Sequence, residues 1–250
     1  MTQQDSRVAI ITGGGSGIGR AIAVALAADG CAIAIFDRDA VNGATVASEI
    51  EHSGWRARAY EVDVTVSGRV RQAVEDVMGT FGRIDVLVNS AGIGFLGSVE
   101  ELSEKAWDHV MSVNVKSIFL CSRAVIPHMA ASRSGRIINI ASVAGLVASP
   151  RRAAYCASKG AVVMLTRAMA LDCASRNINV NSICPGVVIT PMTEKTLRDP
   201  VDRQRRLDGT PLGRLAQPEE IAPAAVYLAG PGASFVTGST LVVDGGWSID

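Results

Sequence analysis

The stretch Val8-Ala9-Ile10-Ile11-Thr12-Gly13-Gly14-Gly15-Ser16-Gly17-Ile18-Gly19 decides how the whole chain is read. Its first five residues form a short apolar run, the signature of a strand buried on both faces of a parallel sheet. Five glycines follow within seven residues, and a helix-forming run begins near Arg20. Strand, glycine turn and helix in succession let backbone amides approach a pyrophosphate at the positive end of the helix. The glycines do not fall in the GxGxxG register, so the loop alone is equally readable as a glycine-rich turn with no ligand. Asp37 shifts the balance. It ends the second apolar run and stands 18 residues beyond Gly19, close to the roughly 20-residue interval expected of an acid that accepts ribose hydroxyls. Its charge opposes a 2′-phosphate and Ser16 brings no cation into the loop, so NAD is expected rather than NADP. Arg38 dissents, since it could shield a phosphate, although a solvent-facing arginine beside a strand-end acid is the commoner arrangement.

Outward from this stretch, short apolar runs recur at 32–36, Val86–Asn89, 137–140, 180–183 and Thr240–Val243, with 58–62 a less apolar candidate. Helical spacing fills the intervals at 18–28, 70–77, 107–129, 161–174 and 219–229. The alternation predicts a parallel sheet covered on both faces, and no linker or repeat divides it, so residues 1–250 read as one doubly wound α/β domain. Residues 190–213 break the rhythm. They are polar and arginine-rich, with Pro191, Pro200 and Pro211, which predicts a short helical excursion or lid.

Composition narrows the function classes. With 250 residues, 48% of them hydrophobic, the chain can bury a core without disulfides or metal. Lysine plus arginine (24) balance aspartate plus glutamate (24), which argues against a broad basic face for nucleic acid or anionic membrane. Five scattered cysteines without a CxxC pair indicate reduced thiols and a cytoplasmic setting. The polar N-terminus has no signal-peptide design, and no apolar stretch reads as long enough to span a bilayer. His52, His109 and His128 lack metal-ligand partners at useful spacing, so no metal is expected.

Tyr155-Cys156-Ala157-Ser158-Lys159 sets a phenol and an amine four residues apart, on one face if a helix begins here. Tyrosine's ordinary pKa of about 10 is too high for efficient proton exchange at neutral pH, and a nearby ammonium would lower it. Such a pair also arises by chance as surface packing. Ser142 follows the run 137–140 without a His/Asp pattern nearby, which leaves hydrolase chemistry without support.

Taken in order and spacing, the glycine loop, Asp37, Asp63, Asn89-Ser90-Ala91-Gly92, Asn114, Ser142, the Tyr155/Lys159 pair and Pro185-Gly186-Val187-Val188-Ile189-Thr190 resemble the short-chain dehydrogenase/reductase family over nearly the whole chain. The resemblance implies a Rossmann-type seven-stranded sheet in the order 3-2-1-4-5-6-7 and hydride transfer between a secondary alcohol or ketone and a nicotinamide. By the same resemblance, Ser142 hydrogen-bonds the substrate oxygen and Tyr155 exchanges its proton. Lys159 holds the nicotinamide ribose and lowers the tyrosine pKa, and Asn114 holds a water of a proton relay. Gly13, Ser16, Gly17, Ile18 and Gly19 form the phosphate loop. Asp63 and Val64 resemble the adenine-contacting pair, although an aspartate there could instead cap the next helix. Asn89 and Ala91 resemble residues that steady the central strand and line the adenosine ribose, with Ser90 standing where the family usually has a second asparagine. Val188 and Thr190 resemble the carboxamide contacts, with Pro185 and Gly186 shaping the turn. The ending, Asp244 to Asp250, resembles one that reaches a neighbouring subunit in a homotetramer.

Seven arginines lie near the expected substrate side: Arg151, Arg152, Arg198, Arg203, Arg205, Arg206 and Arg214. A solvated surface is the plainer reading. Arg152 is the candidate for clamping an anionic hydroxy or keto substrate, and residues 150–155 loosely resemble the active-site approach of 2-hydroxypropyl-coenzyme M dehydrogenases. Two alternatives stand beside this reading: a 3-oxoacyl-[acyl-carrier-protein] reductase, and an NAD-binding regulator without catalysis.

Overall fold

A computed structural model of the chain describes residues 6–249. Its strands are β1 (Val8–Thr12), β2 (Ala32–Asp37), β3 (Ala57–Glu61), β4 (Val86–Asn89), β5 (Gly135–Ile140), β6 (Ile178–Pro185) and β7 (Thr240–Val243). They form a single sheet ordered β3-β2-β1-β4-β5-β6-β7, with every pairing parallel. This is the order the resemblance implies. All residues of β1, β4 and β6 are buried; β1 and β4 accordingly read as apolar runs, whereas β6 also buries Asn179, Asn181 and Ser182.

Alternate residues of β1 and β2 feed two cores. Ala9, Ile11, Ile33 and Ile35 pack with α1 (Gly17–Ala28), part of α2 (Ala40–His52) and α9 (Ala222–Ala229). Val8, Ile10, Ala34 and Phe36 pack on the other face with α3 (Ser67–Phe81), α5 (Ser117–Ser132) and α6 (Ala153–Cys173). The period-2 alternation of strand side chains produces this division. Residues 190–213 fold as α7 (Pro191–Leu197) and α8 (Pro200–Asp208), each opened by a proline in the position where its missing N–H costs nothing.

Three expectations need correction. The helix α2 has no counterpart among the predicted helices, because its buried face is Gly43, Val46, Ala47 and Ile50, and glycine and alanine give little apolar signal. The run 107–129 is two helices, α4 (Glu104–Met111) and α5, joined by a π turn at Ser112–Lys116. The continuous segment Glu104–Ser132 is also long and apolar enough, by length and composition, to cross a membrane. Half of its most apolar part is buried inside the molecule, since the residues that make it apolar, such as Leu120, Val125 and Met129, pack on the sheet.

Candidate active site

The strand order reverses between β1 and β4, and a cleft of about 330 Å³ opens where the strands end on that side. Ligands of doubly wound sheets bind at such a switch point. Every residue expected to bind cofactor lines this cleft except Asn89: Gly13, Ser16, Gly17, Ile18, Gly19, Asp37, Asp63, Val64, Ala91, Tyr155, Lys159, Pro185, Gly186, Val188 and Thr190. Ser142 lines it as well.

Backbone packing explains the glycines. A Cβ on Gly19 would stand 2.1 Å from the Gly13 carbonyl oxygen, and one on Gly13 would stand 2.9 Å from the Ala91 backbone. Gly13 (φ 65°) and Gly17 (φ 52°) also adopt the left-handed conformation. The loop therefore folds flat against the start of α1, whose first-turn amides have no helical acceptors of their own. This cradle fits a pyrophosphate.

Asp37 anchors the loop as well as facing the cleft. Its Oδ2 accepts the Gly15 N–H at 2.9 Å and its Oδ1 accepts the Asp39 N–H at 3.0 Å. Arg38 lines the same end. Asp63 accepts both the hydroxyl and the amide of Thr65, at 2.6 and 2.9 Å, and these bonds hold its carboxyl below the usual range, with Arg38 and His109 adding to the effect. The cap of α3 is Val66, so Asp63 closes a local turn rather than the helix. Ser90 lines the cleft, and its amide and that of Ala91 both donate to Thr12 Oγ1 at 3.0 Å. The strand end is thus held without the amide that a second asparagine would bring.

At the other end, Tyr155 and Lys159 lie one turn apart near the start of α6, with Lys159 Nζ 5.8 Å from the centre of the tyrosine ring. Ser142 and Tyr155 line the same end of the cleft, close enough for the hydroxyl to act on the phenol's pKa. Burial raises the Tyr155 pKa, against the Ser142 hydroxyl and the charge of Arg152, which lower it. The expected lowering by Lys159 is not what governs this phenol. The ammonium donates to the Ile140 carbonyl at 2.8 Å, and burial pulls its own pKa down to about 8.

Asn114 and Asn89 stand behind the cleft wall. Asn114 Nδ2 donates to the Ile93 carbonyl and to Ser158 Oγ, both at 3.0 Å, and its Oδ1 accepts the Ile93 N–H at 2.8 Å. A Cβ on Gly92 would lie 3.4 Å from Asn114 Oδ1 and 3.6 Å from Lys159 Nζ, so the glycine keeps the space between those two groups open. Asn89 turns into the sheet, where its Nδ2 donates to Asn139 Oδ1 at 2.9 Å. It steadies the central strand and does not line the cleft. Arg152 lies outside the cleft wall, its guanidinium carbon 5.8 Å from the centre of the Tyr155 ring.

The cleft also includes His109, Val113, Met192 and Thr193, which sequence reasoning passed over. The first two sit on the segment around the π turn, whose break carries no sequence signal. Met192 and Thr193 open α7, and Thr193 Oγ1 donates to the Val188 carbonyl at 2.6 Å, which ties that helix to the turn after β6.

Fold and cleft define a dinucleotide-binding α/β protein with a hydroxyl, a phenol and an amine gathered at one end of its site. A family model described as enoyl-(acyl carrier protein) reductase matches residues 13–248. Cyclopentanol dehydrogenase of Comamonas testosteroni is 42% identical over 248 residues, covering 99% of each chain. The 2-(S)-hydroxypropyl-CoM dehydrogenase 3 of Xanthobacter autotrophicus is 42% identical over 245 residues, covering 96% of each. A crystal structure from Beutenbergia cavernae, provisionally described as an NAD(P)-dependent gluconate 5-dehydrogenase with NADP at low occupancy, superposes with a TM-score of 0.94 at 40% identity, over 98% of this chain and 97% of that one. The chain belongs to the short-chain dehydrogenase/reductase family.

The buried ammonium gives a signed pH test. The folded-state pKa of Lys159, about 8, lies below the ordinary 10.5. Below pH 8 both folded and unfolded chains carry the proton, and the folded chain bears the full cost of burying the charge. Between pH 8 and 10.5 the folded chain sheds the proton first and that cost is relieved. The difference in Tm between the wild type and Lys159→Met is expected to move in favour of the wild type as pH rises from 7 to 10. A pH-independent difference, measured by scanning calorimetry without cofactor, contradicts the buried charge.

Proposed function

We propose that the chain interconverts a secondary alcohol and a ketone by hydride transfer, with NAD as its preferred cofactor. The observation that carries the reading is that Ser142, Tyr155 and Lys159 line one cleft, with Lys159 Nζ 5.8 Å from the centre of the Tyr155 ring. When bound, the nicotinamide supplies the hydride acceptor, and its chemistry is the cofactor's own. The residues of the chain manage the oxygen. Tyr155 gives or takes the proton, and the Ser142 hydroxyl donates to the same oxygen as charge develops on it. Lys159 is suited to the ribose and, through the open space beside Gly92, to a water-borne proton path past Asn114. Asn114 itself acts by holding the Ile93 loop to α6.

The preference for NAD rests on Asp37, which faces the cleft as a carboxylate while fastening Gly15. A 2′-phosphate there would meet like charge. Arg38 in the same wall is the observation that favours a second reading, an NADP-linked reduction such as that of a 3-oxoacyl-[acyl-carrier-protein]. The substrate side is proposed to be covered by α7 and α8 as a lid, and Arg152 beside Tyr155 favours substrates bearing a negative charge. Free cysteines at all five positions support a reducing, cytoplasmic setting. Exposed apolar side chains on α5 and α6, among them Phe119, Met164 and Leu171, support a homotetramer that covers them.

Tyr155→Phe is expected to lower kcat by about 10²–10⁴-fold on a secondary alcohol, followed at 340 nm, while NADH fluorescence still reports binding. Unchanged turnover removes Tyr155 from its role, and binding without turnover in the wild type on a broad alcohol panel favours a regulator. Asp37→Ala is expected to cut the NAD-over-NADP ratio of kcat/KM on the order of tenfold or more. An unchanged ratio removes Asp37 from cofactor choice.

A further inference from the structure

No residue of α7 or α8 is buried, so these helices have no core of their own and their orientation depends on what grips their ends. The near end is held over the cleft. Thr193 Oγ1 donates to the Val188 carbonyl at 2.6 Å, a Cβ on Gly17 would lie 3.3 Å from Thr190 Cγ2, and one on Gly94 would lie 3.7 Å from Met192 Cγ and Sδ. The far end, Gly209 to Leu212, is gripped by the turn that follows β7. The Leu212 N–H donates to the Gly245 carbonyl at 3.1 Å, and the partly buried Trp247 lies against Gly209. A Cβ on that glycine would stand 2.9 Å from the indole Cζ3 and 3.0 Å from Cη2. Gly209 has φ −81°, a conformation any residue adopts, so its missing side chain is explained by the ring and not by the backbone.

The turn that carries Trp247 is itself fixed. Asp244 Oδ1 accepts the Gly246 N–H at 2.9 Å, and its Oδ2 accepts the amide and hydroxyl of Ser248 at 2.8 and 2.7 Å. Cβ atoms on Gly245 and Gly246 would stand 2.8 Å from Thr210 Cγ2 and 2.9 Å from Pro211 Cγ, so the turn and the segment after α8 interlock at backbone distance. On its other side the turn meets the cleft wall. Gly186, which lines the cleft, donates its N–H to the Val243 carbonyl at 3.0 Å, and a Cβ on it would stand 2.7 Å from Asp244 Cα. One turn thus touches both the cleft wall and the far end of α8, and Trp247 brings the large apolar side chain to that contact.

We propose that Trp247 is a positioning residue that fixes the far end of α8 and, through α8, sets α7 over the substrate end of the cleft. This rests on the reading of α7 and α8 as the lid of a redox site. With the indole in place the segment is held at both ends and covers a bound alcohol. Without it the far end lifts and the alcohol is held less well, while Tyr155 and Ser142 keep their places. The signature of such a loss is a raised KM with little change in kcat.

The test is limited trypsin digestion of the full chain, read by mass spectrometry at Arg203 and Arg205, both exposed on α8, beside steady-state kinetics with NAD and 2-pentanol. Trp247→Ala is expected to speed cleavage at α8 on the order of tenfold, since cleavage tracks the population of the opened segment. The KM for 2-pentanol is expected to rise by a similar factor, with kcat within about threefold of wild type. Trp247→Phe keeps a ring against Gly209 and is expected to restore both readouts towards wild type. Gly209→Ala displaces the ring without straining the backbone; it is expected to move both readouts as Trp247→Ala does, and it carries the test if Trp247→Ala does not fold, as judged by its circular-dichroism melt. Cleavage at α8 within about threefold of wild type in these two variants overturns the anchor, and faster cleavage with an unchanged KM overturns its part in holding the alcohol. Digestion needs no turnover, so a wild type that oxidises no secondary alcohol removes the redox reading while cleavage still decides the anchor.

Discussion

The hydrogen bond from Lys159 to the Ile140 carbonyl, 2.8 Å long and buried, joins the start of α6 to the last residue of β5. The contact adds a polar tie to the apolar packing that seats α6 on the sheet. Tyr155 lies one turn before Lys159, and Ser142 stands just beyond the end of the same strand. Close packing enforces the placement, since a Cβ on Gly145 would stand 2.6 Å from the backbone of Lys159. The 3₁₀ turn Val143–Gly145 that carries Ser142 at its start can therefore lie directly on the helix. An ammonium buried this way is costly unless hydrogen-bonded, and the Ile140 carbonyl supplies that partner.

The cofactor end is built on the same principle of close backbone approach. Gly13, Gly19 and Ala91 bring the ends of β1 and β4 and the start of α1 within contact distances that no side chain would allow. Asp37 completes the arrangement by accepting the Gly15 amide. One carboxylate thus both shapes the loop and lines the cleft. One wall of the cleft is different in kind. It comes from Pro191, Met192 and Thr193 at the start of α7, a short helix tied to the turn after β6 by the Thr193 bond to the Val188 carbonyl, and such elements vary more readily than the sheet.

How much of this could be read from the sequence follows from where the information resides. The buried strands announced themselves as apolar runs, the glycine loop as a cluster, and Tyr155 with Lys159 as a helical pair whose meaning came from its company along the chain. The helix α2 stayed hidden because its buried face is made of glycine and alanine as much as valine and isoleucine. The π turn at Ser112–Lys116 was equally silent, although it divides what reads as one long helix. Asn89 takes the strand-steadying part of the role its position implies, since its side chain hydrogen-bonds Asn139 inside the sheet, and it does not line the cleft. The arginines show a different limit. Their density was visible, but which ones are neutralised by Glu101, Glu194, Asp202 or Glu220 depends on tertiary neighbours.

The most direct test of the central claim, that this cleft moves a hydride between carbinol and nicotinamide, is to supply NAD with a secondary alcohol deuterated at the carbinol carbon and to examine the reduced cofactor by mass spectrometry and NMR. The account predicts one deuterium, carried on one face of the nicotinamide C4, and none released to solvent. Deuterium appearing in the water, or cofactor reduced without label, would contradict it.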